Sequence, residues 1–128
     1  MRIIPTSLHG VLDYTVGLLL MAAPWLLGFA RGGAETWVPF TLGVSALIYS
    51  LLTDYELGAV RVLSMPMHLL LDAMSGILLA ASPWLFGFSD YVHLPHVILG
   101  GFEVLAAAMT RTTPFSQNPG SARGAITL

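Results

Sequence analysis

The chain has 128 residues, of which 55% are hydrophobic and 9% charged, with a net charge of −2 and no cysteine. A typical soluble domain carries about 25% charged residues, so this chain cannot cover a soluble surface, and its five arginines (Arg2, Arg31, Arg61, Arg111, Arg123), with no lysine, form no nucleic-acid-binding face. The lack of cysteine excludes disulfides, cysteine–zinc sites and iron–sulfur clusters.

The first predicted element is an apolar helix over 8–29, with N-cap candidates in Pro5-Thr6-Ser7. It is read as a retained span rather than a signal peptide, because Asp13 interrupts its apolar run and the same segment recurs in mid-chain. A short link, Arg31-Gly32-Gly33-Ala34-Glu35, leads to a second helix over 37–53. The loop 54–66 follows, with Ser64-Met65-Pro66 opening a third helix over 67–88. Ser89-Asp90-Tyr91 links it to a fourth over 92–110, and the remainder, 111–128, reads as a polar, flexible tail rich in Pro, Gly and Ser. A helix needs roughly 20 apolar residues, and no fewer than about 17, to cross the hydrocarbon core, so all four qualify by length. The fold class expected is all-α: a single domain over 1–110, an integral membrane four-helix bundle with lipid as its surroundings. Its repeats are 8–56 and 67–110. Four arginines fall on the side of the termini and the 54–66 loop and only Arg31 on the other, which places both termini in the cytoplasm.

The chain states one segment twice. Residues 8–30 and 67–89 are identical at 12 of 23 positions at an offset of 59. The shared skeleton is His-x3-Asp-x3-Gly-x6-Pro-Trp-x2-Gly-Phe. Two copies of a two-helix hairpin enter the membrane in the same direction, which implies a pseudo-two-fold axis along the membrane normal. The second helices match only at Leu42/Leu99, Gly43/Gly100 and Thr53/Thr110, at an offset of 57. His9, Asp13 and Gly17 are spaced by four and share a helix face, as do His68, Asp72 and Gly76. The expected packing sets helix 1 against helix 3 along these faces, with Gly17, Gly76, Gly43 and Gly100 as close-approach positions.

The Pro-Trp-x2-Gly-Phe runs, opening as Ala23-Pro24-Trp25 and Ser82-Pro83-Trp84, resemble the SPW repeat family of small bacterial integral membrane proteins. The resemblance covers roughly 8–110 and implies architecture and a place in the bacterial inner membrane, not an activity. The first copy has Ala23 where the family motif has serine, which argues against a catalytic Ser82.

Each motif carries a structural and a chemical reading. Pro24 and Pro83 tighten or kink the last helical turn, Gly28 and Gly87 stop it, and Trp25 and Trp84 anchor at headgroup depth. The sharper alternative is a ligand pocket lined by Trp25, Trp84, Phe29 and Phe88. The His9/Asp13 and His68/Asp72 pairs read first as internal hydrogen bonds or ion pairs, since a carboxylate within a span needs a partner. The same four residues could ligate zinc, manganese or iron, His9 and His68 could ligate a haem, or Asp13, Asp72 and Glu103 could form an ion or proton pathway. Glu103 breaks the repeat, its counterpart being Ala46. His93 and His96 read as interfacial, a surface metal site with Asp90 being the alternative. No cofactor and no catalytic set is expected. The preferred reading is a non-enzymatic accessory protein acting through homo-oligomerisation or a larger membrane complex, with a redox module and an ion pathway as alternatives.

Overall fold

Four α-helices make up the structure, a computed structural model that describes residues 2–113. They are α1 (Thr6–Leu26), α2 (Ala34–Leu51), α3 (Met65–Leu85) and α4 (Leu94–Met109). No strand is present among the described residues, only isolated bridges of Ile4 with Thr110 and Thr53 with Leu63. The expected tail lies, from 114 on, outside the described residues.

Each helix is displaced by a few residues from its predicted bounds, for identifiable reasons. The first helix starts at Thr6, not 8, and Thr6 does not cap it. Its hydroxyl donates instead to the Glu56 carboxylate, at 2.8 and 2.7 Å from the two oxygens. The third helix starts at Met65 behind an N-cap Ser64, whose Oγ accepts from the Met67 N–H at 3.3 Å. Both α1 and α3 end earlier than predicted because the Pro-Trp-x2-Gly-Phe run is the stop itself. In α1 the Phe29 N–H donates to the Pro24 carbonyl (2.9 Å) and the Gly28 N–H to the Trp25 carbonyl (3.3 Å). That is the Schellman arrangement, with Gly28 in the left-handed region at φ 73°. In α3 the Phe88 N–H donates to the Pro83 carbonyl (2.8 Å), and Gly87 has φ 75°. The motif therefore reads, in order, as the last helical turn, a glycine that only an achiral residue enters cheaply, and an anchoring phenylalanine. A side chain in the left-handed region costs about 1–2 kcal/mol. Gly28→Ala or Gly87→Ala is expected to lower stability by about that much, read as a fall in the thermal midpoint in detergent, although nothing crowds either site within 4 Å.

The helices pair as hairpins: α1 lies along α2 and α3 along α4. The contact between α2 and α3 is smaller, and the backbones of α1 and α3 make little close contact. This corrects the expectation that α1 and α3 pack face to face through glycine. Gly17 and Gly76 serve the hairpins instead. A Cβ on Gly43 would lie 2.6 Å from the Gly17 carbonyl oxygen, and one on Gly100 would lie 2.5 Å from that of Gly76. Only glycine allows the two backbones of a hairpin this close. What joins α1 to α3 is a set of longer side chains reaching across the bundle.

Polar side chains are buried in number beside an apolar core that includes Leu20, Leu79, Tyr55, Met65 and Leu69. The interior holds Thr6, His9, Asp13, Ser50, Thr53, His68, Asp72, Ser82, His96 and Thr110. Outside stand Leu18, Ile77, Ile98 and Leu105, each about 60% exposed. Contiguous apolar surface of this kind marks a protein-contact or membrane-contact face. Two helices, Thr6–Leu26 and Met65–Leu85, are long and apolar enough to cross a membrane. Of the other two expected spans, α2 has 18 residues and lies a few residues earlier than 37–53, whereas α4 has 16 and is shorter than 92–110, so α4 rises about 24 Å at 1.5 Å per residue.

Candidate functional site

Four buried side chains converge where α1 and α3 face each other. His9 and Asp13 lie one turn apart on α1, His68 and Asp72 one turn apart on α3. His9 Nε2 is 3.0 Å from Asp13 Oδ1 and 2.7 Å from Asp72 Oδ2. His68 Nε2 is 3.0 Å from Asp13 Oδ2 and 3.3 Å from Asp72 Oδ2. Each carboxylate thus sits between both imidazoles, and the two rings meet edge to face at 5.6 Å. One ligand atom from each of the four residues falls within 4.8 Å of all the others.

The far side of each ring is held by a threonine. His9 Nδ1 lies 2.7 Å from Thr110 Oγ1, and His68 Nδ1 lies 2.7 Å from Thr53 Oγ1. Both hydroxyl protons are already committed. Thr53 donates to the Tyr49 carbonyl and Thr110 to the Ala106 carbonyl, each at 2.6 Å and one turn back along its helix. Each threonine oxygen is left to accept, so each histidine carries its proton on Nδ1. Nε2, facing the carboxylates, is then either a bare lone pair or an added N–H on a charged ring.

Tyrosines complete the shell. Tyr49 OH donates to Asp72 Oδ1, and Tyr55 OH donates to Asp13 Oδ2 at 3.0 Å. Tyr55 lies in the loop after α2, is fully buried, and closes the cluster from that end with Met65, Leu69 and Ala107. Burial, and then the Asp13 charge, push its phenol above the usual range, which keeps it a donor.

The threonines and tyrosines were not read from the sequence as site residues. Thr53/Thr110 was a weak signal: it is one of three coincidences between the second helices, and Gly43/Gly100 is another. Glu103 lies beside the cluster and shares a small cavity with His9, Asp13 and Asp72.

The other end of the bundle is differently built. Trp25 and Trp84 point outward, 55% and 58% exposed, so they do not line a pocket with Phe29 and Phe88. Trp25 forms edge contacts with Trp37 and Phe40, as tryptophan does at a membrane interface. Phe29 and Phe88 both contact the His96 ring in tilted geometry, with centroids 5.1 and 4.9 Å away. His96 is accordingly buried rather than interfacial, and its Nε2 donates to the Glu35 carbonyl at 2.9 Å; His93 remains exposed. Asp90 is exposed as well and forms no cluster with them. Ser82 spends its hydroxyl on the Leu79 carbonyl at 2.6 Å, a backbone role that alanine at position 23 simply omits.

Haem does not fit between His9 and His68. The two rings are in edge contact, both aspartates fill the space a macrocycle would need, and the adjoining cavity measures about 20 Å³. A single metal ion suits these donors. Bonds of about 2.0–2.2 Å to nitrogen and oxygen imply ligand-to-ligand edges of about 3.3–3.6 Å in a tetrahedron, so the histidine–aspartate separations of 2.7–3.3 Å would have to widen by a few tenths of an ångström or more to admit an ion. The Nδ1–H bonds to threonine are the outer contacts that orient a ligating imidazole.

A model of the SPW repeat domain family matches residues 7–110. No curated protein and no solved structure matches the chain.

Proposed function

From the premise that this chain belongs to the SPW repeat family, we propose that it is a multi-pass membrane protein whose function is to hold one divalent transition-metal ion at a buried His2Asp2 centre. In this reading all four helices span the bacterial inner membrane, the two hairpins are related by a pseudo-two-fold axis along the membrane normal, and both termini face the cytoplasm. Arg2, Arg61 and Arg111 gather at the end of the bundle that holds the centre, with Arg31 at the other, which supports that orientation. The donor set, two imidazoles and two carboxylates, suits zinc, iron or manganese and balances a dipositive ion to neutrality.

The observation that carries the reading is His68. Its Nδ1 is held by Thr53, it is wholly buried, and its Nε2 stands 3.0 and 3.3 Å from one oxygen of each aspartate, so that it joins His9, Asp13 and Asp72 as one of four donors within 4.8 Å of one another. Metal analysis of protein purified in mild detergent is expected to give one ion per chain, removable by a strong chelator and restored by zinc, iron(II) or manganese(II). Protein that is metal-free as isolated and takes up none of these ions sinks the reading. Losing an outer contact of this kind typically weakens metal binding 10–100-fold, about 10–100-fold being also what Thr53→Val should cost here. Competition with a coloured chelator measures it.

The second reading is a non-catalytic accessory subunit in which the same four residues are a polar lock. Charge balance favours it: two protonated histidines against two ionised aspartates, with both Nδ1 atoms and both phenols satisfied. Such a lock would leave stability unchanged by chelator. It would also call for a homo-oligomer or partner to co-purify with the chain.

A further inference from the structure

A cavity of about 20 Å³ adjoins the centre, between His9, Asp13 and Asp72 on one side and Ala46, Phe102 and Glu103 on the other. One water needs at least about 10–15 Å³ measured this way, so the space admits one water or a very small anion and no organic ligand. Glu103 Oε2 is buried and has no hydrogen-bond partner among the described residues. A buried carboxylate oxygen left unpaired is costly and calls for a partner that the protein does not supply. Ala46 and Glu103 are repeat counterparts at an offset of 57, yet both line this one cavity. Alanine on one side leaves the room and glutamate on the other supplies an acceptor.

We propose that this cavity is the open coordination position of the metal centre, occupied by one exchangeable water that binds the ion and donates to Glu103. The inference rests on the metal reading above. The ligands it admits are water, hydroxide and one- or two-atom anions such as fluoride or cyanide. Glu103 is a positioning residue, acting on the ion through the bound water. With four protein ligands and this water, the ion is five-coordinate.

Cobalt(II) tests this, because its visible absorption reports coordination number. Cobalt-loaded protein is expected to show the weak bands of a five-coordinate ion, which shift when fluoride is added. Ala46→Leu fills the cavity, and Glu103→Leu removes the acceptor. Each should still bind one cobalt per chain but show a several-fold rise in absorption, as a four-coordinate ion does, and no response to fluoride. Glu103→Gln keeps an acceptor oxygen and should retain the five-coordinate spectrum. If Ala46→Leu fails to fold, the Glu103 pair carries the test. Cobalt-loaded protein that is four-coordinate from the start, or whose spectrum fluoride and both leucine variants leave unchanged, overturns the inference while the metal reading stands. Protein that binds no cobalt overturns the metal reading itself, and this inference with it.

Discussion

Asp72→Ala is expected to abolish metal retention and to remove about 3–5 kcal/mol of stability, the usual consequence of taking one partner from a buried charge cluster. Asp72 Oδ2 faces His9 at 2.7 Å and His68 at 3.3 Å, while Oδ1 accepts from Tyr49. Alanine would therefore leave the Tyr49 hydroxyl without its acceptor and both imidazoles with Asp13 as their one remaining carboxylate, all inside the bundle. Metal content per chain and the thermal midpoint in detergent check the two effects separately. Asp90→Ala, at an exposed position in the link before α4, should change neither. Wild-type protein separates the two readings of the site. An ion bound only by the folded form raises the midpoint with its concentration, so chelator should lower it if the four residues hold metal. A pure imidazolium–carboxylate lock predicts the same loss for Asp72→Ala with no chelator effect. A fall well under 1 kcal/mol with metal content unchanged would contradict both.

The second large effect belongs to adjacent glycines of opposite behaviour. A Cβ on Gly100 would lie 2.5 Å from the Gly76 carbonyl oxygen and 2.6 Å from the Ala80 backbone nitrogen, whereas one on Gly101 meets nothing within 4 Å. Backbone cannot swing aside as a side chain can, so Gly100→Ala must push α4 from α3 and should cost about 1–3 kcal/mol, the range for an overfilled interior. Gly101→Ala removes a flexible residue from a helix at an open position and should be neutral or stabilising by up to about 1 kcal/mol. Thermal midpoints of the two variants in one detergent are the measurement. Equal shifts in the same direction would mean that α3 and α4 are not in the contact described.

Much of the site was legible because the chain repeats it. Duplication singled out His9/His68 and Asp13/Asp72 from an apolar background, and a four-residue spacing put each pair on one face. Two things were not legible. Spacing along a helix does not say which neighbour a face meets, so Gly17 and Gly76 read as a link between α1 and α3 when they close the hairpins. The threonines at 53 and 110 fall at helix ends, where a hydroxyl ordinarily satisfies backbone. Their second role, accepting from a histidine on the other hairpin, depends on a separation of 101 residues for His9 and Thr110 that no local pattern encodes. The Pro-Trp-x2-Gly-Phe run was readable as a helix end. Its division into an outward tryptophan and an inward phenylalanine needed the left-handed glycine to be seen in place.

The crossed threonines also set an order of assembly. His68 on the second hairpin finds its threonine on the first, which has been synthesised before it. His9 on the first hairpin finds its own on the second, at the residue that follows α4. The first hairpin by itself therefore holds half a centre and an unsatisfied His9 ring. Completion waits for the end of the helical region, so the centre registers whether both hairpins have arrived and seated together. A chain stopped short of Thr110 would hold all four inward-facing histidines and aspartates and still lack the contact that orients the first of them.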